Sequence, residues 1–157
     1  MQQPHQALVG SLVHRLFEAR VRAGDDVLAA ARAALRDEER AVLDDADGVL
    51  AAAAAIWTSM TARDDVAALL AAPTVHAEVP FSLRLDAADG EFVVRGTIDC
   101  VAIGADGGVT VVEFKTGGAH PSHQLQLDLY VEAARALFPG SDVSGRLIYN
   151  SDAQTRL

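Results

Sequence analysis

An acid and a lysine stand two residues apart in the second half of the chain, and another acid precedes them. Glu113 lies in an apolar segment, 109–114, that predicts a strand, and Lys115 follows directly at its end. Side chains two apart on a strand point to the same face. Asp99 lies in the preceding apolar segment, and the turn signal at 106–108 joins the two segments as a hairpin. We therefore expect Asp99 to lie beside Glu113.

This arrangement has a definite chemistry. Two neighbouring carboxylates repel each other unless a cation holds them, and carboxylate oxygens are the ligands that Mg²⁺ and Mn²⁺ prefer. Such an ion acidifies a water molecule and stabilises charge on a phosphoryl oxygen. Lys115 beside the ion can orient that water or offset charge in the transition state. Gln126 and Tyr130, four residues apart, share one face of a helix and can reach the same place.

The elements that position these residues divide the chain into two parts. Residues 6–72 are rich in Ala, Leu, Asp and Arg, and their apolar spacing predicts helices. After a first helix, we expect helices over 27–35, 38–60 and 64–72. From residue 75 the period changes to two, which is typical of strands. We expect strands over 75–86, 92–103, 109–114 and 145–149, and a helix over 124–138.

A helix between the last two strands implies that these strands are parallel. The sequence therefore predicts an α/β fold: a mixed central sheet of about four strands flanked by helices, with an N-terminal helical segment. We expect residues 1–157 to form one domain, with the sheet core over 75–157.

Composition excludes several classes of site. The single cysteine, Cys100, excludes an internal disulfide and a four-cysteine iron–sulfur cluster. The purest apolar run, 51–57, is far shorter than the roughly 20 residues of a membrane span. Without a signal-peptide pattern at the start of the sequence, we expect a cytoplasmic protein. The net charge of −9 opposes DNA binding, so we expect DNA to be delivered by another domain or subunit, or to bind at a local basic strip.

Five short motifs, in order along nearly the whole chain, resemble those of the PD-(D/E)XK nucleases and in particular the RecB-like subgroup. They are 13–18 (VHRLFE), 78–81 (EVPF), 96–99 (GTID), 113–117 (EFKTG) and 126–130 (QLDLY). Two positions depart from the commonest form: Ile98 precedes the first acid instead of proline, and the second acid is Glu113 instead of aspartate.

The resemblance implies roles for particular residues. It assigns Mg²⁺ or Mn²⁺ to His14, Asp99, Glu113 and the carbonyl of Phe114. It makes Asp99, Glu113 and Lys115 the catalytic group. It gives a substrate-binding or supporting role to Glu78, Thr116, Gln126 and Tyr130.

The resemblance also implies a DNA nuclease, acting on single strands beside a helicase domain or subunit in double-strand-break repair. The sequence contains no phosphate-binding loop of the helicase type, G-x-x-x-x-G-K-[ST], so the motor would have to be supplied elsewhere. Two alternatives remain open: a domain of this fold that guides DNA or binds a partner without cleaving, and a nuclease that acts outside any helicase complex.

Overall fold

A computed structural model describes residues 3–22 and 24–150 of the chain. Five helices precede a sheet whose last two strands are joined by a sixth helix. The elements are α1 Gln3–Glu18, α2 Val27–Ala34, α3 Asp37–Ala41, α4 Ala46–Thr61, α5 Asp64–Leu70, β1 Thr74–Ala87, β2 Gly90–Ile103, β3 Val109–Lys115, α6 Pro121–Leu137 and β4 Val143–Tyr149. Among these helices none is both long and apolar enough to cross a bilayer.

The four strands form one mixed sheet in the order β1-β2-β3-β4. β1 and β2 are antiparallel, as are β2 and β3, whereas β3 and β4 are parallel and joined through α6. A parallel pair needs such a crossover, because β4 must start at the same end of the sheet as β3. The predicted α/β fold, a restriction-endonuclease-like core with a mixed sheet of four strands, is confirmed.

Two apolar cores lie on the two faces of this sheet. The N-terminal helices bury one face, and the members of that core include Leu12, Leu16, Leu50, Met60 and Val112. Helix α6 buries the other face, with Val101, Val111, Leu127, Ala134 and Leu147. The near-continuous apolar run of β3 follows from this arrangement, because a strand covered on both faces has no solvent-facing side.

The single helix expected over 38–60 is wrong, because the chain is divided there into α3 and α4. Asp45 caps α4, and its Oδ1 accepts a hydrogen bond from the Gly48 amide at 2.8 Å. A Cβ at position 48 would lie 2.1 Å from the Asp45 carboxylate. Gly48 therefore belongs to the first turn of a capped helix and does not weaken the middle of a longer one.

The helix expected over 124–138 begins three residues earlier, at Pro121, and ends at Leu137. Proline is favoured in the first turn of a helix, where its missing amide would have no partner. His120 precedes it as the cap, because its Nδ1 accepts from the Ser122 amide at 3.2 Å. Strand β4 likewise begins at Val143, two residues before the start expected from the sequence.

An ion pair ties α1 to the acidic segment that follows α2. The Arg15 guanidinium donates to both carboxylate oxygens of Glu39 at 2.7 Å and to the Ala34 carbonyl at 3.0 Å. Four-fifths of each charged side chain is shielded from solvent. The Arg15 hydrogen bonds lower the Glu39 pKa to about 2. Arg15 is adjacent to His14, so this pair also fixes the helix that carries a predicted metal ligand.

Replacement of Glu39 by glutamine tests this ion pair. Because the folded-state pKa lies below the ordinary value of 4.5, the pair stabilises the protein above that pH and is lost as pH falls from 4.5 towards about 2. We expect E39Q to lower the free energy of unfolding at pH 7 by about 1–2 kcal/mol. Urea denaturation at pH 7 and pH 3 measures this loss and its decrease in acid.

The matched control is E38Q, which removes one negative charge at an exposed neighbouring position. We expect its stability to follow the wild type at both pH values. Equal effects of E38Q and E39Q would contradict a specific contribution from the Arg15 pair.

Candidate active site and metal centre

Three neighbouring strands carry an acid at the same level of the sheet. Continuing the register of the flanking ladders places Glu78 of β1 opposite Asp99 of β2, and Asp99 opposite Glu113 of β3. The sequence predicts the placement of Asp99 beside Glu113. It does not predict the placement of Glu78 beside Asp99, because a lone glutamate in an alternating strand gives no sign of its neighbour on the next strand.

The side chains of β1, which forms a two-stranded ribbon with β2, change faces of the sheet close to Glu78. Val75 packs in the core under the N-terminal helices, whereas Val79 packs in the core under α6. Residues four apart on a regular strand share a face, so the alternation is broken between them. The break lies at Glu78, whose φ of +51° is rare for a residue with a side chain. Such backbone costs about 1–3 kcal/mol and is concentrated at functional sites.

Helix α1 brings a histidine to the acids of β1 and β2. The His14 Nδ1 lies 3.4 Å from an Asp99 oxygen. One potential ligand atom from each of His14, Glu78 and Asp99 lies within 4.8 Å of the other two. The second Asp99 oxygen accepts from the Phe114 amide at 2.9 Å, which fixes the orientation of the carboxylate. One nitrogen and two carboxylates converge on a space that is large enough for one cation.

The directions of the pKa shifts show that these groups interact. Burial and the nearby charge of Asp99 raise the pKa of Glu78. Burial alone would lower the pKa of His14, but the hydrogen bond and charge of Asp99 raise it overall. Both effects come from negative charge concentrated in a partly desolvated place, and a divalent cation would neutralise it.

Glu113 is the most deeply buried acid of the three, with 2% of its surface exposed. Its Oε1 accepts from the Lys115 ammonium at 2.6 Å, whereas its Oε2 has no hydrogen-bond partner among the described residues. Burial and the charge of Asp99 raise its pKa to about 7, against the opposing effect of Lys115. A buried oxygen without a partner is costly, and a metal ion is one way to satisfy it.

A chain of hydrogen bonds leads from Lys115 into α6. The Lys115 ammonium donates to the Gln126 Oε1 at 2.8 Å, and the Gln126 Nε2 donates to the Tyr130 hydroxyl at 2.8 Å. The direction of the Gln126 amide follows, because its oxygen must accept from the lysine and its nitrogen must donate to the tyrosine. Glu113, Lys115, Gln126 and Tyr130 thus form one connected unit at the end of β3.

Phe81 and Gly96, for which the sequence predicts no role, support this unit through the Tyr130 ring. Phe81 meets the Tyr130 ring edge to face at 5.5 Å between centroids. Phe81 also covers Gly96, its partner across the strands, and a Cβ at position 96 would lie 2.8 Å from the Phe81 ring. The glycine of the G-x-x-D motif therefore provides room for an aromatic ring that supports Tyr130. The alternation around Phe81 could identify its face, but not its partner.

Thr116 and Phe114 occupy different surroundings. Thr116 lines an open cleft of about 530 Å³ together with His14, Glu78 and Asp99. A Cβ on Gly10 of α1 would lie 2.8 Å from the Thr116 hydroxyl, so Gly10 lets the helix approach the end of β3. The Phe114 ring stacks on Phe17 at 3.9 Å. Metal binding by the Phe114 carbonyl stays a prediction.

The sheet order, the crossover helix and the acid–lysine pair on β3 are typical of the restriction-endonuclease-like fold. A family comparison agrees: the model of the PD-(D/E)XK nuclease superfamily matches residues 1–156. The chain belongs to this superfamily.

Solved structures with similar folds are distant in sequence. SSO0001 is 14% identical with a TM-score of 0.43, over 97% of this chain and 63% of that protein. VC1899 from Vibrio cholerae is 13% identical with a TM-score of 0.38, over 96% of this chain and 48% of that protein. This chain therefore spans less than two thirds of the length of either protein. No curated protein sequence matches it.

A divalent metal titration tests the centre. We expect saturating Mn²⁺ to raise the melting temperature by about 5–10 °C, because an ion that binds only the folded state stabilises it. E78Q should reduce this shift, since it removes one charged ligand. Differential scanning calorimetry with and without Mn²⁺ measures both.

The matched control is E91Q on the adjacent strand, where the exposed glutamate pairs with Arg84. It should keep the full metal response. An equal reduction in E91Q, or an unchanged response in E78Q, would exclude Glu78 as a ligand.

Proposed function

We propose that this protein is a metal-dependent DNA nuclease that hydrolyses phosphodiester bonds. The observation that carries the proposal is the convergence of His14, Glu78 and Asp99 next to a lysine that is already oriented by Glu113 and Gln126. Superfamily membership supports hydrolysis of nucleic acid, and the donor set fits an oxygen-preferring ion such as Mg²⁺ or Mn²⁺.

In this proposal His14, Asp99 and Glu113 hold the metal, together with the Phe114 carbonyl, and Glu78 completes the site. The orphaned Oε2 of Glu113 and the negative charge around Asp99 fit this role. When bound, a divalent ion supplies an acidified water molecule and stabilises negative charge on a phosphoryl oxygen. The fixed Asp99 carboxylate limits how far the ligand set can move, because the Phe114 amide holds one oxygen.

Lys115 acts on the substrate side of the site. An ammonium group has three N–H donors, and Glu113 and Gln126 accept two of them. The third can donate to the attacking water or to a phosphate oxygen. The hydrogen bonds to Glu113 and Gln126 hold the ammonium group in one position. The ammonium group therefore need not move as negative charge develops on the phosphate.

DNA as substrate, and the setting of its cleavage, follow from the RecB-like motifs. We propose exonucleolytic action on single strands that a helicase domain or subunit delivers during double-strand-break repair. The net charge of −9 supports delivery by a partner, because unassisted DNA capture depends on neutralising phosphates. Thr116 lines the cleft and would contact the strand there.

The second candidate is a scaffold that holds DNA or a partner without cleaving it. The burial of Glu113 and its bond to Lys115 give this alternative some support, since the pair is satisfied in part without any metal. The Mn²⁺ titration separates the two candidates, because a scaffold needs no ion.

Asp99 is the residue to change first. We expect D99N to lower cleavage of single-stranded DNA by about a thousandfold, because it removes the carboxylate charge that Glu78, His14 and Glu113 all sense. Release of acid-soluble nucleotides with Mg²⁺ or Mn²⁺ measures the rate. The control is D86N on the exposed end of the same ribbon, which should cleave like the wild type. Cleavage by D99N at the wild-type rate would refute the assignment.

Tyr130 is a positioning residue in this proposal, and Y130F tests it. Loss of the hydroxyl frees the Gln126 amide and so loosens Lys115. We expect kcat to fall about tenfold or more with KM nearly unchanged, as for residues that orient a catalytic group. Q124A on the exposed face of the same helix is the control and should change neither constant.

A double mutant decides whether the effect passes through Gln126. If it does, Y130F should cost little further activity in a Q126A background. Additive losses would mean that Tyr130 acts by another route.

A further inference from the structure

A second cavity adjoins the metal cleft, and Asp99 lines both. It measures about 480 Å³ and lies between the end of α1, helices α4 and α5, and the start of β1. Ligand pockets of this size are lined mainly by apolar side chains with a few polar groups. The proposed nuclease chemistry does not use this cavity.

Three aromatic rings form one side of the cavity. Phe17 stacks on Phe114 with an angle of 6° between the rings, and Trp57 is tilted by 47° against Phe17 at 6.3 Å. Phe114 and Trp57 are each only 2% exposed, whereas Phe17 is half-buried, so Phe17 is the ring that can offer a face to a planar ligand such as a nucleobase.

Trp57 has a hydrogen-bond donor that nothing accepts. Its side chain is 2% exposed, and its Nε1 has no partner among the described residues. Indole N–H groups usually have a partner when they are buried. The Nε1 is itself buried, so it meets an acceptor on a ligand in the cavity only if the indole rotates.

Two arginines at the end of α1 complete the lining. Arg20 and Arg22 are exposed, and neither guanidinium forms an ion pair within the part of the chain that the structure describes. Asp25 lies close to Arg22, but its carboxylate accepts from the Arg22 backbone amide at 2.7 Å. The Arg20 guanidinium donates to the Val75 carbonyl at 3.1 Å. In a protein of net charge −9, two guanidinium groups without an ion pair beside the proposed phosphodiester site are suited to a phosphate.

We propose that this cavity is a subsite for a nucleobase, taken from the nucleotide next to the phosphate at the metal cleft. Phe17 stacks the base, the Trp57 N–H donates to an acceptor on it, and Arg20 and Arg22 bind the attached phosphate. All four natural bases carry acceptors on their edges, so the subsite distinguishes a base from an abasic position and does not read sequence. The inference rests on the proposed nuclease function and adds a substrate contact to it.

Trp57 is the only tryptophan in the chain and therefore reports on the subsite directly. The wild-type protein is titrated, with Mg²⁺ present, with dTMP, with thymidine and with 2-deoxyribose 5-phosphate while tryptophan emission is recorded. We expect dTMP to change the emission at the lowest concentration and thymidine at a higher one. Deoxyribose 5-phosphate should leave the emission unchanged, because it lacks the base.

Variants separate the two parts of the ligand. We expect W57F, which keeps an aromatic ring but loses the N–H, to weaken dTMP binding about fivefold in calorimetry. R20Q with R22Q should bring the affinity for dTMP close to that for thymidine. R84Q with R135Q, which removes two exposed arginines that do not line the cavity, is the matched charge control and should bind dTMP like the wild type. Thermal melting verifies that each variant is folded.

An equal emission change with deoxyribose 5-phosphate and dTMP, or none with dTMP, would overturn the subsite, and this comparison uses only the wild type. DNA cleavage without a base-dependent change at Trp57 would refute the subsite alone. A base-dependent change in a protein that cleaves no DNA would refute the proposed nuclease function alone.

Discussion

The whole site depends on the repulsion among three acids held at one level of a sheet. Glu78, Asp99 and Glu113 lie on adjacent strands, and the charge of Asp99 raises the cost of ionising both Glu78 and Glu113. The fold offsets this cost with His14 on one side and Lys115 on the other. The cationic partners therefore come from different elements, and the helices and the sheet must pack correctly before the acids can share one place.

Much of this could be predicted from the sequence, for physical reasons. The two-residue period of β3 places Glu113 and Lys115 on one face whatever surrounds them, and the four-residue spacing of Gln126 and Tyr130 does the same on a helix. The antiparallel pairing of β2 with β3 followed from the hairpin, and the parallel pairing of β3 with β4 followed from the crossover helix, since few topologies satisfy both. The single helix expected over 38–60 failed because a local cap, the Asp45 carboxylate on the Gly48 amide, outweighed helical periodicity.

Contacts between residues far apart in the chain could not be predicted from the sequence. The support of Tyr130 by Phe81 depends on which residue lies opposite Gly96, and register is set by tertiary packing. Arg15 and Glu39 are 24 positions apart, and the local spacing around either residue gives no sign of the other. Glu78 received a supporting role by resemblance, but the reversal of the ribbon that aims it at Asp99 has no signal in the sequence pattern, since glutamate rarely adopts a positive φ.

That reversal also affects the outer edge of the sheet. β1 is an edge strand of fourteen residues, and such edges can pair with a strand from another molecule and lead to aggregation. Glu78 breaks the regular backbone near the centre of the strand, and Pro80, two residues later, has no amide to donate. The distortion that aims an acid at the metal centre thus also divides a long edge into two short ones, which protects the domain against intermolecular strand pairing.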